Sequence, residues 1–414
     1  MVKNNYDGIT IILPMYGDIQ TNTRSVYSAA TQCLGKLDED HPKVEVLIMA
    51  DDVEYQKEHN GASLFDYYLS EEFAKLYDTE NVEIRVIHNL EKYGGHIYQG
   101  GGRLYGSFEA KYSFVIWFDS DDVLAPCCIR NFWDIIQENK EKKIFRIGGT
   151  FNSFDSHGYY NPIYQSIWVQ EYCINSDFLS TFNLNDETIY KNKINRKQGE
   201  DYLALNILTY VQQHNSEWID ISLHKDIPVG FWVPNYNSLS RCDPYYGEHL
   251  AGSTMSSSWT IYEFMKQYNK ENSIEDKQDE FMKKRLLNMT IYSFYNVLDF
   301  IKTVSCTDYK PKEEDWVLLR DYSSKLRSEL KTVYWDEIVQ SDIEDELYKV
   351  HHMSDCRWTE PWDCNYYEYM AKQWKVLTMS YDKMIEYAKS LKFDAVGHEV
   401  NSKAVKAWEK RHSK

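Results

Sequence analysis

The apolar positions of the first third of the chain fall into short continuous runs, separated by stretches with helical spacing. "GITIILPMY" (8–16) is such a run, and Pro14 is where the pattern predicts it to break. "KVEVLIMADD" (43–52), "NVEIRVIHN" (81–89) and "SFVIWFD" (113–119) are three more of strand length, rich in branched and aromatic residues. Between them, "NTRSVYSAATQCLGKL" (22–37), "GASLFDYYLSEEFAKLYD" (61–78) and the glycine-rich "GGGRLYGSFEAKY" (100–112) read as helices. Alternation of this kind predicts an α/β fold, Rossmann-like, with a mostly parallel sheet covered by helices on both faces.

The pattern continues with a helix over "CIRNFWDIIQENK" (128–140), one strand over "KKIFRIGGTFNSF" (142–154), irregular Tyr/Asn-rich segments, and a helix over "GEDYLALNILTYVQQH" (199–214). From about residue 255 helical spacing dominates, as in "SSSWTIYEFMKQYNK" and "FMKKRLLNMTIYSFYNVLDFIKTV". The expected division is an α/β domain over 1–250 and a mainly α-helical C-terminal domain over 251–414. No apolar run approaches the ~18 residues of a membrane-spanning helix, and the N-terminal run is too short and wrongly flanked for a signal peptide. The expected location is therefore cytoplasmic.

Charge narrows the partners. A formal net charge of −18 argues against a generally basic nucleic-acid-binding surface, while leaving a local basic groove open. Eight scattered cysteines form no regular framework, so reduced thiols are expected. The 34 tyrosines suit wet, ring-lined clefts, although packing at element boundaries is the commoner use of such rings.

The acids carry the candidate chemistry. "FVIWFDSDDVL" (114–124) ends five large apolar residues in Asp119, Asp121 and Asp122, and Asp51–Asp52 end the second strand in the same way. Ligands of open parallel sheets bind beyond the carboxyl ends of the strands, so both clusters could line one crevice. Asp119 and Asp121, two apart, would point the same way on an extended backbone, and carboxylates suit a hard cation such as Mg²⁺ or Mn²⁺. Taken alone, a solvated acidic turn explains them as well. Glu200 and Asp201 open a helix, where complementing the helix dipole is a sufficient role.

In order, "ITIILPMYGD", "VEVLIMADD", "GGGRLYGSFEAKYSFVIWFDSDDVL" and "GEDYLALNIL" resemble the family 2-like glycosyltransferases with the GT-A fold, over roughly residues 8–240. The resemblance implies metal-dependent, inverting transfer of a hexosyl or pentosyl group from a nucleotide-sugar donor, UDP-linked by preference, to an acceptor hydroxyl. It implies Mn²⁺ or Mg²⁺ at Asp121, with Asp119 on ribose, metal or metal-bound water. Asp51 and Asp52 would meet the base, Pro14 and Tyr16 would line its pocket, and Arg103 would reach the diphosphate or else pair with one of the acids and balance its charge. The three glycines at 100–102 permit close backbone approach to a ligand, and equally read as flexible loop. Asp201 would be the catalytic base and Glu200 would orient the acceptor. Leu104 stands where the family carries Asn, and Trp232, Pro234 and Asn235 stand where a histidine or arginine is usual. A third protein ligand is thus His224, His249 or none. The resemblance leaves open a glycan, small-molecule or macromolecular acceptor, and assigns the helical region to acceptor access or a homo-oligomer contact. Two alternatives remain: a catalytically silent nucleotide- or carbohydrate-binding module, and a metal-dependent nucleotidyltransferase or phosphohydrolase. His351, His352, Cys356 and Cys364 offer zinc ligand types at no regular zinc spacing.

Overall fold

The computed structural model describes residues 2–16, 19–35, 41–154, 160–162, 171–191, 193–197, 199–221, 227–232 and 246–283, with isolated positions as far as 329. The chain divides into two compact units, Met1–Pro234 and Asn235–Lys414. In the first, the strands in chain order are β1 (Gly8–Met15), β2 (Lys43–Ala50), β3 (Val82–His88), β4 (Phe114–Trp117), β5 (Val123–Leu124) and β6 (Lys143–Gly148). They continue with β7 (Thr150–Phe154), β8 (Tyr160–Pro162), β9 (Tyr172–Asn175), β10 (Trp218–Ile221) and β11 (Pro228–Trp232). Seven form one sheet in the order β10-β6-β9-β4-β1-β2-β3, and β5-β11-β7-β8 form a second. In the large sheet β9 alone runs antiparallel to its neighbours, which is the mostly parallel α/β sheet that the alternation predicts.

Side-chain parity puts helices on both faces. Ile9, Ile11, Leu13 and Met15 of β1 share a buried cluster with Val26 and Ala29 of the helix Ile19–Ala30, and with Ile129, Phe132 and Ile136 of the helix Cys128–Glu138. The even positions face the helix Tyr98–Glu109. An added Cβ on Gly106 would lie 2.6 Å from Ile12 Cγ2, and one on Gly102 would lie 2.9 Å from Pro14 Cβ. Gly100, Gly101 and Gly102, which the sequence offers as ligand approach or flexible loop at the entry to a helix, are thus inside this helix, letting its backbone press onto β1.

Several boundaries differ from the sequence reading. β1 runs through Pro14, which pairs with Met49, to Met15. The pairing of β4 with β1 already stops at Ile12↔Trp117, so the missing proline N–H leaves no gap in the ladder. The first helix ends at Ala30 rather than near 37. The expected 61–78 helix is broken into a 3₁₀ turn, Asp66–Leu69, and a short helix, Glu71–Ala74, by the extended Ser70 whose hydroxyl accepts from Phe73 N. The expected 142–154 strand is β6 and β7, in different sheets. They part at Gly149, where an added Cβ would fall 2.4 Å from Val229 Cγ2 and 2.7 Å from the Ile227 carbonyl oxygen.

In the second unit the helix Tyr246–Glu271 is followed by a 3₁₀ turn, Asp276–Gln278. Buried Asn269 holds that turn, its amide donating to Asp276 Oδ1 at 2.8 Å and Asp279 Oδ2 at 3.3 Å. The helices expected beyond residue 286 and the 351–364 cluster lie outside the described residues. Among the described residues no helix is long and apolar enough to cross a membrane.

Because a backbone carbonyl cannot step aside, Gly149→Ala is expected to lower stability by about 1–3 kcal/mol. Urea unfolding checks this: the midpoint falls while the denaturant slope stays unchanged.

Candidate active site

The turn after β4 is fixed through its backbone. Phe118 N donates to the Ile12 carbonyl at 3.0 Å, carrying the strand one residue beyond β4. The Ile19–Ala30 helix then grips the turn: Arg24 Nε and Nη2 donate to the Asp121 carbonyl at 3.1 and 2.7 Å, and Ser25 Oγ donates to the Ser120 carbonyl. Leu124 N donates to Ser28 Oγ at 3.1 Å on the far side. With these carbonyls held, carboxylate oxygens of Asp119, Asp121 and Asp122 gather within 4.8 Å of one another. Asp122 is buried and the other two half-buried. Three converging hard oxygen donors fit Mg²⁺ or Mn²⁺ and do not fit a thiophilic metal.

Arg103 joins this turn to the second acidic pair. It is 2% exposed on the Tyr98–Glu109 helix, with Nη1 donating to Glu200 Oε1 at 2.5 Å and Nη2 donating to Asp119 Oδ1. Gln99, one turn earlier on the same face, adds a 3.1 Å bond to Asp119 Oδ1. Both terminal nitrogens of Arg103 are therefore engaged by protein carboxylates, and its buried Nε has no hydrogen-bond partner. A diphosphate reaching Arg103 would have to displace one carboxylate.

Glu200 and Asp201 open the helix Glu200–Gln213 behind Gly199, whose φ of 66° is the left-handed conformation that glycine adopts without strain. Gly100 makes room for them, since a Cβ there would lie 2.8 Å from Glu200 Cβ and Cγ. Burial pushes the Glu200 carboxyl up to about 7, against the pull of Arg103 and with the push of Asp201. Burial raises Asp201 as well, again opposed by Arg103. Glu200 is buried in the ion pair, while Asp201 is half-buried, with Oδ1 accepting from Tyr202 N at 2.7 Å. Arg103 itself is held above its ordinary range, because Asp119, Glu200 and Asp201 outweigh the effect of its burial.

The acids at the end of β2 have protein partners. Asp51 accepts from Ile97 N at 3.4 Å and Tyr98 N at 3.2 Å, capping the helix that carries Arg103. Asp52 is 2% exposed and accepts from Gln56 Nε2 and Ser63 Oγ, both at 3.0 Å, with His88 Nδ1 at 3.5 Å. Burial would raise its carboxyl, but the bonds to His88, Ser63 and Gln56 win and hold it below the usual range. Pro14 is buried against Gly102. Tyr16 is 58% exposed, its ring 5.7 Å from that of His96, which in turn stacks at 6.1 Å on Tyr98.

Arg103, Asp119 and Glu200 thus meet directly, Asp121 and Asp122 join Asp119, and Asp201 adjoins Glu200. Asp51 is linked through the Tyr98–Glu109 helix, and Tyr16 stands at a rim with His96 and Tyr98. His224 and the side chains of His249 and Trp232 lie outside the described residues, as do Pro234 and Asn235. Sequence reasoning did not single out Arg24, Ser25, Gln99 or His96. Gln99 carried a signal, four residues before Arg103 on one helical face; Arg24 and Ser25, which act on main-chain carbonyls, carried none.

No family model matches the chain, and no curated protein sequence matches it. Solved structures similar to it include S. aureus TarS 1–349 in complex with UDP, at 14% identity and a TM-score of 0.38, covering 84% of this chain and 92% of that one. S. aureus TarS 1–349 in complex with UDP-GlcNAc follows at 13% identity and a TM-score of 0.37, covering 80% and 88%.

The Glu200 shift fixes a pH dependence. Its carboxyl ionises near an ordinary 4.5 when unfolded and near 7 when folded. Between those values the native state keeps a proton that the unfolded chain has released, so this contribution is full below 4.5 and lost as pH rises through 7. Urea unfolding across that range is expected to show falling stability with pH, and Glu200→Gln is expected to reduce that slope, leaving the part that the raised Asp201 contributes.

Proposed function

We propose that the protein is a metal-dependent, inverting glycosyltransferase that uses a nucleotide-sugar donor, UDP-linked by preference. The observation carrying this reading is the Asp119–Arg103–Glu200 bridge, which brings a cation-ready acidic turn and a carboxylate pair with raised pKa into one site. Such a transfer needs two things close together: charge stabilisation for a diphosphate leaving group and a carboxylate to take the acceptor's proton.

Asp119 and Asp121 would hold the cation, with Asp122 behind them; when bound, it supplies Lewis-acid stabilisation of the leaving diphosphate. Asp201 takes the acceptor hydroxyl's proton as that oxygen attacks the anomeric carbon, the sugar–phosphate bond breaking on the opposite face. Glu200, tied to Arg103, orients the acceptor. Burial raises Asp201 as a base, so it accepts a proton more readily than an exposed aspartate would. The Tyr16–His96–Tyr98 rim offers ring faces to a base, and the second unit would serve acceptor access or self-association.

A second reading, a nucleotide-binding module without turnover, is favoured by the engagement of Glu200 and Asp119 with Arg103. Incubation with a panel of nucleotide sugars and Mn²⁺ separates the two, with nucleotide diphosphate release as the readout. The transferase reading expects release, at least slowly to water, and loss of metal dependence in Asp121→Ala. Asp201→Ala is expected to lower the rate about 10²–10⁴-fold with donor affinity retained. Binding without any release supports the silent module, release of sugar 1-phosphate points to a nucleotidyltransferase or phosphohydrolase, and neither binding nor release from any donor sinks the transferase reading.

A further inference from the structure

We propose that Cys33 and Cys127 form a surface dithiol that closes to a disulfide by exchange with a small-molecule disulfide such as oxidised glutathione. The two residues sit side by side although 94 positions separate them in sequence (127 − 33). Cys33 follows the Ile19–Ala30 helix, and Cys127 immediately precedes the Cys128–Glu138 helix. Three hydrogen bonds hold the 32–34 segment against that helix start. Cys33 N donates to the Pro126 carbonyl at 2.7 Å, Ile129 N donates to Gln32 Oε1 at 3.2 Å, and Arg130 Nη1 donates to the Leu34 carbonyl at 3.2 Å.

Those bonds hold the backbones of the two cysteines beside one another, with both residues exposed, and the neighbouring Cys33 adds to burial in raising the Cys127 thiol above its ordinary range. A backbone bond from one cysteine's own N–H to the carbonyl just before the other sets a spacing that a disulfide can span by side-chain rotation. Among the described cysteines the other two, Cys128 and Cys173, are buried, so an external disulfide reaches the surface pair before them.

The exchange balances. One cysteine thiolate attacks a sulfur of the external disulfide, breaking its S–S bond and releasing one small thiol. The second cysteine, giving its proton to solvent, then attacks the first cysteine's sulfur and expels the second small thiol. The protein loses two electrons and two protons, and the external disulfide is reduced to two thiols. Closure would add a covalent tie between two segments already joined around the acidic turn, because Arg24, Ser25 and Ser28 bond that turn from the helix leading to Cys33.

The test uses the full chain, native, with oxidised glutathione, followed by alkylation and peptide mass mapping. The expected result is a Cys33–Cys127 cross-linked peptide, lost on adding reduced thiol, with Cys128 and Cys173 alkylated only after unfolding. Cys33→Ser and Cys127→Ser are each expected to keep a stable glutathione adduct on the remaining thiol, since no second cysteine expels it. Separate adducts on both residues of the unsubstituted protein would overturn the proposal. So would a bridge from either one to another cysteine, or no modification at all. The readout is covalent mass, independent of any transferase activity.

Discussion

A guanidinium buried to 2% exposure between two carboxylates is the contact on which the rest of the site depends. Asp119 comes from the end of β4, Glu200 from the start of another helix, and Arg103 from a third element between them. Left without either partner, a buried charge of this kind would cost several kcal/mol, so the three elements hold position together or not at all. The bridge also requires close backbone approach. Gly100 gives Glu200 its place, and Gly102 and Gly106 let the arginine helix lie on Pro14 and Ile12. One arginine facing Asp119, Glu200 and the adjoining Asp201 leaves negative charge in excess. That excess, added to burial, is why Glu200 holds its proton to about 7.

The acidic turn is organised by a different principle. Its carbonyls, not its carboxylates, are bound by Arg24 and Ser25. Fixing the main chain this way places three acids together without neutralising Asp121 and Asp122 through these bonds. A turn merely solvated would have no need of a buried Asp122 or of an arginine spent on a main-chain oxygen. The helix that does the gripping packs its apolar face on β1, so the core and the turn share one support.

The strands and the acids at their ends were legible because continuous branched and aromatic runs have a length and an end that sequence displays directly. The Arg103–Glu200 and Arg103–Asp119 contacts were not, since nothing local says which of several carboxylates a given arginine will meet. Glycines misled in two places for the same reason. "GGG" suggests a loop, yet it is helix pressed against β1, and the glycine pair in "RIGGTF" hides a crossing between sheets that only Val229 and Ile227 explain. The 61–78 segment kept helical spacing but lost its helix at Ser70, where a side-chain cap competes with the continuing ladder.

The two acids at the end of β2 look equivalent in sequence and are not equivalent in space. Asp52 has a fully covered side chain whose oxygens meet Gln56, Ser63 and His88, so it holds its own neighbourhood together. Asp51 is met by two weak main-chain donors at 3.2 and 3.4 Å and by His96 Nδ1 at 3.2 Å, with its side chain 10% exposed. A carboxylate has about four lone-pair positions, so three long contacts leave it capacity to accept one more hydrogen bond. The same contacts orient it, and His96 brings the Tyr16 and Tyr98 rings beside it. On the donor-binding reading proposed above, a base docking on those rings would find its acceptor in Asp51, the less engaged of the two acids.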